Sequence, residues 1–146
     1  MDLLQQLLEQ QAVIDTINSL FIETDNRNWP AAKNCLAEKV LFDMSSLTGE
    51  APSTLTSEQI TNAWSIGLKD LKAIHHQAGN YRVELKNNEA DAFCYGIASH
   101  YKPNPTNNNV RTFVGSYNFH LLNIAGAWKI DHFKFNLKYI DGNLQL

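Results

Sequence analysis

Asp25 is the polar residue whose position most demands a partner. Apolar residues recur at Leu3, Leu7, Ile14, Ile17 and Phe21 in a run from Asp2 to about Arg27, the spacing of one helical face. At about 100° per residue, Asp25 lies nearly above Leu7, about 20° from Ile14 and about 40° from Phe21, whereas Glu23 is about 160° away. Asp25 therefore shares the apolar stripe and Glu23 does not. An ionised carboxylate on such a stripe loses several kcal/mol of hydration unless something replaces it. Two arrangements would do so: a cap on the helix that Trp29-Pro30 begins, or a pairing with an imidazole.

The adjacent His75 and His76 are the candidate imidazoles. An imidazole with its ordinary pKa of about 6.5 is available as a base at neutral pH, and a carboxylate on its other nitrogen fixes the tautomer and stabilises the imidazolium that forms. The chemistry that needs this pair is proton abstraction from carbon. Loss of hydroxide or halide, or an enolate shift, then completes a dehydration, an elimination or an isomerisation, with no metal or organic cofactor required. Tyr81, Val83 and Leu85 alternate with Arg82, Glu84 and Lys86 as a strand does, and His75, not His76, is in phase with the apolar set. A bulge at Ala78-Gly79 would invert the phase and bring His76 to the same face. Both histidines stay open on this reading.

His100 sits on the next strand pattern, in phase with Ala92, Cys94, Gly96 and Ala98, whose small side chains leave space above that face; there it could give a proton to a leaving group. Ser116 and Asn118, at strand spacing i and i+2, offer hydrogen bonds to a substrate oxygen. Phe42, Trp64 and Leu71 are candidate pocket walls, although aromatic residues at such spacings also serve as plain core. Trp128, Phe133 and Phe135 read as core. His120 and His132, six residues either side of Gly126, are candidate cross-strand neighbours, but two ligands make only a weak metal site and none is expected. Glycine-rich phosphate and dinucleotide loops, the G-x-S-x-G elbow, H-E-x-x-H and C-x-x-C are all missing.

The elements that must position these residues follow from period and punctuation. After the first helix, Pro30 to about Ala37 reads as a short second helix, Val40 to Met44 as a strand, and Ser45 to Thr54 as a loop. Thr56-Ser57-Glu58-Gln59 caps a third helix running to about Lys72. Strands then run to the Asn87-Asn88 turn, from Ala90 to Tyr101, from Val110 to Ile124 and from Trp128 to Ile140, the last two joined by Ala125-Gly126-Ala127. Helices followed by long antiparallel strands specify an α+β domain in which a bent sheet wraps the helices. The 146 residues suit one domain, 1–146, and a net charge of -3 is a poor match for a phosphate backbone, so no nucleic acid is expected. No apolar run reaches the roughly 18 residues of a membrane span. The opening Met1-Asp2-Leu3-Leu4 lacks a basic region, and Cys35 and Cys94 ask for no disulfide, which together suggest the cytoplasm.

The order of elements, with Thr24-Asp25, His76-Gln77-Ala78-Gly79-Asn80 leading into Arg82-Val83-Glu84-Leu85, Gly115-Ser116-Tyr117 and Gly126-Ala127-Trp128-Lys129-Ile130, resembles the SnoaL-like branch of the nuclear transport factor 2-like (cystatin-like) superfamily over nearly the whole chain. The resemblance implies a cone-shaped fold. It also implies, as in the scytalone dehydratase and lindane dehydrochlorinase branch, a helix-end Asp paired with a strand-head His as general base. The residue matching that histidine, four before the Asn, is His76, and His100 resembles the second histidine of the dehydratase group. Phe42 falls where the dehydrochlorinase has a pocket aromatic, whereas Thr24 stands where the dehydratase has a tyrosine. Two functions remain in view: a cofactor-independent lyase or isomerase acting on a small molecule, and a non-catalytic module binding a small ligand in the same cone. A homodimer packed sheet to sheet is expected, through an outer face carrying Tyr117, Phe119 or Leu121.

Overall fold

Helix α1 (Leu3–Asp25) starts where the Asp2 carboxylate accepts the backbone N–H of Gln5, and it ends at Asn26 and Arg27, the latter with φ +56°. The computed structural model describes residues 1–146. Trp29 and Pro30 open the short α2 (Trp29–Asn34), with Pro in the first turn, where its missing N–H costs nothing. Strand β1 (Leu36–Asp43) begins earlier than the Val40 expected. The stretch expected to be only a loop holds a helical turn, α3 (Ser45–Thr48), and an edge strand, β2 (Ser53–Thr56). Helix α4 (Ser57–Gly67) carries a reciprocal cap: Thr56 Oγ1 accepts Gln59 N–H while Gln59 Oε1 accepts Thr56 N–H. It stops at Gly67, short of the expected Lys72. Strands β3 (Ala73–Lys86), β4 (Glu89–Tyr101), β5 (Val110–Ile124) and β6 (Ala127–Gly142) complete the chain.

The six strands form one sheet in the order β2-β1-β6-β5-β4-β3, antiparallel except for the β1–β6 pair. The helices pack on one face, giving the α+β cone. The core joins Val13, Ile17, Leu20 and Phe21 of α1 to Tyr117, Phe119 and Leu121 of β5 and to Ile130, Phe133 and Phe135 of β6. Tyr117, Phe119 and Leu121 thus face inward, at 5%, 2% and 0% exposure, and correct the expectation that they form an outer apolar face. The α1 stripe is also shorter than its period implies. Leu3, Leu4, Leu7 and Leu8 are all more than half exposed, and burial begins at Val13. No helix is long and apolar enough to cross a membrane, and both cysteines are buried thiols.

Bulges set which residues share a face. In β3, Gly79 pairs with Tyr95 and Arg82 with Phe93, so Asn80 and Tyr81 stand together opposite Cys94. The left-handed residue is Asn80 (φ +56°), a type that tolerates this region, rather than Gly79. The extra residue inverts the alternation, so that Ile74 and His76 face inward together with Tyr81, Val83 and Leu85. In β6, His132 pairs with His120 and Ile130 with Leu121, leaving Asp131 unpaired. Asp131 and His132 therefore both lie between the buried Ile130 and Phe133, and Asp131 reaches His120 at 2.6 Å.

The small residues of β4 make room as their phase suggests. A Cβ on Gly96 would stand 2.2 Å from Cε2 of Tyr117, whose ring lies across this glycine. Gly96→Ala must displace a buried ring, and urea unfolding should show a loss on the order of 1–3 kcal/mol. Unchanged stability would mean that the Tyr117 ring shifts freely.

Candidate active site

Asp25 is the last residue of α1, and its two oxygens do different work on one residue of β3. Oδ1 lies 2.6 Å from Nδ1 of His76, and Oδ2 accepts the His76 backbone N–H at 2.8 Å. Because an ionised carboxylate only accepts, Nδ1 carries a proton, and in the neutral ring Nε2 is left with the lone pair. Phe21, one turn before Asp25, stacks on the imidazole with ring centroids 5.3 Å apart and planes 15° apart. Both side chains of the pair are 16% exposed, so the pair is screened from bulk water without being sealed from it.

His76 opens on a cavity of about 180 Å³ lined by α1, α3, α4 and the inner face of the sheet. Fourteen residues line it and eleven are hydrophobic, among them Phe21, Trp64, Phe113, Tyr117 and Phe133; the other three are Thr24, His76 and His100. Burial drives the Tyr117 phenol well above its usual pKa, so it stays protonated. Thr24 is 3% exposed, and its Oγ1 is buried without a hydrogen-bond partner. His100 is 8% exposed and its Nδ1 stands 2.9 Å from Nη2 of Arg111. Burial first, then the Arg111 charge and His76, push its pKa down to about 4, against a weaker opposing pull from Asp25. A ring held this low is neutral near pH 7, the form in which His100 offers an N–H to a neighbouring oxygen.

The structure brings Asp25, His76, His100 and Trp64 together and separates the other candidates. His75 points away, exposed, with its ring 3.5 Å from Gln77 Oε1, because the Asn80 bulge gives the inner face to His76. Phe42 stands behind the wall, its ring 5.2 Å from Phe133 and 6.2 Å from Trp64. Leu71 is buried outside the cavity, in the turn after α4, where its carbonyl accepts from Arg27. Asn118 is exposed and accepts a hydrogen bond from Asn136, which also donates to Ser116. None of these four touches the cavity. Thr24, Phe21, Phe113 and Tyr117 are among the lining residues that sequence reasoning did not place there, and it did not single out Arg111, which bonds His100 from behind. The alternation of Tyr117 with Phe119 and Leu121 was a usable signal, assigned to the wrong face; nothing in the sequence marks Arg111.

Outside the cavity, His120 and His132 are cross-strand partners as their spacing suggests. Both nitrogens of His120 are taken, by Asp131 at 2.6 Å and Glu89 at 3.0 Å. Partial burial lowers its pKa, but the Asp131 bond and the charges of Asp131, Asp91 and Glu89 outweigh this and leave it raised. No three His, Cys, Asp or Glu side chains come together in a way that could hold a metal ion.

The depressed pKa of His100 has a consequence for stability. Between about 6.5 and about 4 the unfolded chain takes up a proton at this residue and the folded chain does not, so stability falls as the pH drops through that window. The slope is at most about 1.4 kcal/mol per pH unit. Urea unfolding of wild type and His100→Phe at pH values across the window should show wild type losing stability more steeply than the variant as the pH falls, and parallel curves would contradict a neutral buried His100.

A model of the SnoaL-like domain family matches residues 5–134. No curated protein matches the chain by sequence. Among solved structures, the Kfla4162 protein of Kribbella flavida superposes with a TM-score of 0.89 at 17% identity, covering 93% of this chain and 95% of that one. A Novosphingobium aromaticivorans protein provisionally named a scytalone dehydratase gives 0.79 at 15% identity, covering 94% and 89%. The hexachlorocyclohexane dehydrochlorinase LinA-type3 of Novosphingobium barchaimii gives 0.76 at 13% identity, covering 98% and 95%. At such identities the structures share the fold alone, whereas the family match spans most of the sequence: the chain belongs to the SnoaL-like domain family.

Proposed function

We propose that this protein is a small-molecule lyase or isomerase in which His76 is the general base and Asp25 its orienting partner. The observation that carries the reading is the double grip of Asp25 on His76 at the wall of an apolar cavity. A substrate C–H placed against Nε2 gives up its proton there, and the electron pair moves into the substrate, either to expel a leaving group or to return at another carbon. Asp25 meets the imidazolium with a charge already in place, so no reorganisation accompanies the step. The apolar lining favours a small, largely hydrophobic substrate. Related folds named for a dehydratase and a dehydrochlorinase support elimination as the class of reaction. No cofactor enters this chemistry, and the whole domain, residues 1–146, acts as one unit in the cytoplasm.

Proton abstraction can be read without knowing the leaving group. Small ketones and β-substituted carbonyl or halogenated compounds incubated in D2O should take up deuterium, or eliminate, at the acidic carbon, as followed by proton NMR. His76→Ala and Asp25→Asn should each slow this by a factor on the order of 10² or more, the usual worth of general-base catalysis, while ligand binding survives. If small apolar ligands bind but none exchanges or eliminates, the chain is a non-catalytic binding module and Asp25 serves structure alone.

We also propose a homodimer packed through the outer sheet face. Ile97 pairs with Val114 and Val114 with Tyr139, a row across three strands flanked by Tyr95; Tyr95, Ile97 and Tyr139 are 48%, 46% and 53% exposed. Sedimentation at concentrations on the order of tens of micromolar should show a dimer, and Ile97→Asp should shift it to monomer by burying a charge in the contact. A wild-type monomer would overturn this.

A further inference from the structure

His100 in the cavity wall, with Arg111 bonded to it from outside the lining, is a second polar unit that proton abstraction by His76 does not itself require. We propose that the substrate carries a carbonyl oxygen beside the acidic carbon, that the Nε2–H of His100 holds this oxygen as it becomes an enolate, and that Arg111 is the positioning residue that keeps His100 in the donating form. The proposal rests on His76 as the base and adds the substrate class and the site that receives the negative charge.

Hydrogen-bond chemistry dictates the form of His100. A guanidinium has donors and no lone pair to offer, so the 2.9 Å contact from Arg111 Nη2 requires Nδ1 of His100 to be the acceptor. The ring proton is then on Nε2, which has no hydrogen-bond partner within the protein. Arg111 is itself held, by a 3.0 Å bond from Nη1 to the Leu146 backbone oxygen and by the Phe113 ring 5.2 Å from its guanidinium carbon. The charged and titratable groups that act on His100 are Arg111, His76 and Asp25, and burial with the first two keeps the ring neutral. A neutral imidazole is a poor acid but a good donor to a developing oxyanion.

Placement agrees with this chemistry. His76 pairs with Ala98 and Ile74 with His100, so the two histidines are diagonal neighbours on the inner face, with Cβ atoms about 7 Å apart by sheet geometry. One nitrogen accepts and the other donates across a gap suited to a C–H and the oxygen of the neighbouring carbonyl. The α C–H bond breaks, the proton passes to His76 Nε2, the C–H electron pair forms the enolate C=C bond, and the carbonyl π pair moves to the oxygen at His100. The orphaned Thr24 hydroxyl, 97% buried in the same wall, also calls for an oxygen-bearing occupant, since a buried hydroxyl without a partner costs roughly 1–3 kcal/mol.

The test needs no known substrate. In 15N-labelled wild type near pH 7, two-bond proton–nitrogen spectra should show His100 as the Nε2–H tautomer, remaining neutral about a unit below the ordinary imidazole pKa. Arg111→Met should relax this tautomer and Arg111→Lys should restore it in part. 4-Nitrophenolate serves as an enolate mimic and 4-nitrotoluene as its apolar counterpart. His100→Phe and Arg111→Met should weaken the phenolate about tenfold or more, the worth of a hydrogen bond to a charged oxygen, and leave nitrotoluene nearly unchanged. An Nδ1–H or charged His100 near neutral pH, or phenolate binding indifferent to His100, overturns the proposal. Deuterium uptake in His76→Ala separates the two readings. If uptake ignores His76 while phenolate binding depends on His100, the base assignment fails and the oxygen site stands; the reverse pattern sinks the oxygen site alone.

Discussion

One carboxylate holding both the ring and the main chain of His76 is the constraint around which the site is organised. Asp25 sits where α1 ends, so its oxygens reach β3 only because the helix lies on the sheet from Val13 onward. A partly buried Asp needs replacement for lost hydration, and a backbone N–H with an imidazole N–H supplies it. The same two bonds fix the azimuth of the ring and the tautomer. Position, tautomer and orientation of the imidazole are thereby determined by one side chain, with Phe21 stacked on its open face.

That arrangement depends on a backbone irregularity at some distance from the chemistry. Without the extra residue at Asn80-Tyr81, the inner face that holds Tyr81, Val83 and Leu85 would also hold His75, and His76 would look outward. The bulge lets one strand serve two purposes: core packing toward its end and an inward-facing histidine in the cavity wall toward its beginning. The cavity itself comes from a size mismatch between strands. Cys94, Gly96 and Ala98 on β4 are too small to fill the space that Tyr117 and Phe119 on β5 define, so the Tyr117 ring leans over Gly96 and leaves room beside His76 and His100.

What the sequence disclosed follows from how local each feature is. The α+β class, the four long strands, the tight turns at Asn87-Asn88 and Ala125-Gly126 and the caps of α4 rest on short-range signals, and they stand as read. Asp25 was legible because helical period alone places it on the apolar stripe. The choice between His75 and His76 needed a bulge, for which Asn80 carries only a weak mark. Phe42, Leu71 and Asn118 missed the cavity because aromatic or polar identity does not say which layer a side chain occupies. The face of Tyr117 depended on which side of β5 the helices cover, a tertiary fact. Edge strand β2, four residues long, has too little period to be seen within a Ser/Thr-rich stretch.

The two inner histidines show how neighbours divide labour between identical side chains. His76 faces a carboxylate, which in the neutral ring puts the proton on Nδ1; His100 faces a guanidinium, which takes the lone pair of Nδ1 and puts the proton on Nε2. Both imidazoles line the same apolar cavity. In water, proton exchange would erase the distinction, because both rings would sample both tautomers and both charges. Burial preserves it. A dry wall strengthens the Asp25 and Arg111 bonds that set the tautomers, and it makes the wrong protonation state of His100 costly. The apolar lining is therefore more than packing: it keeps two chemically identical rings different.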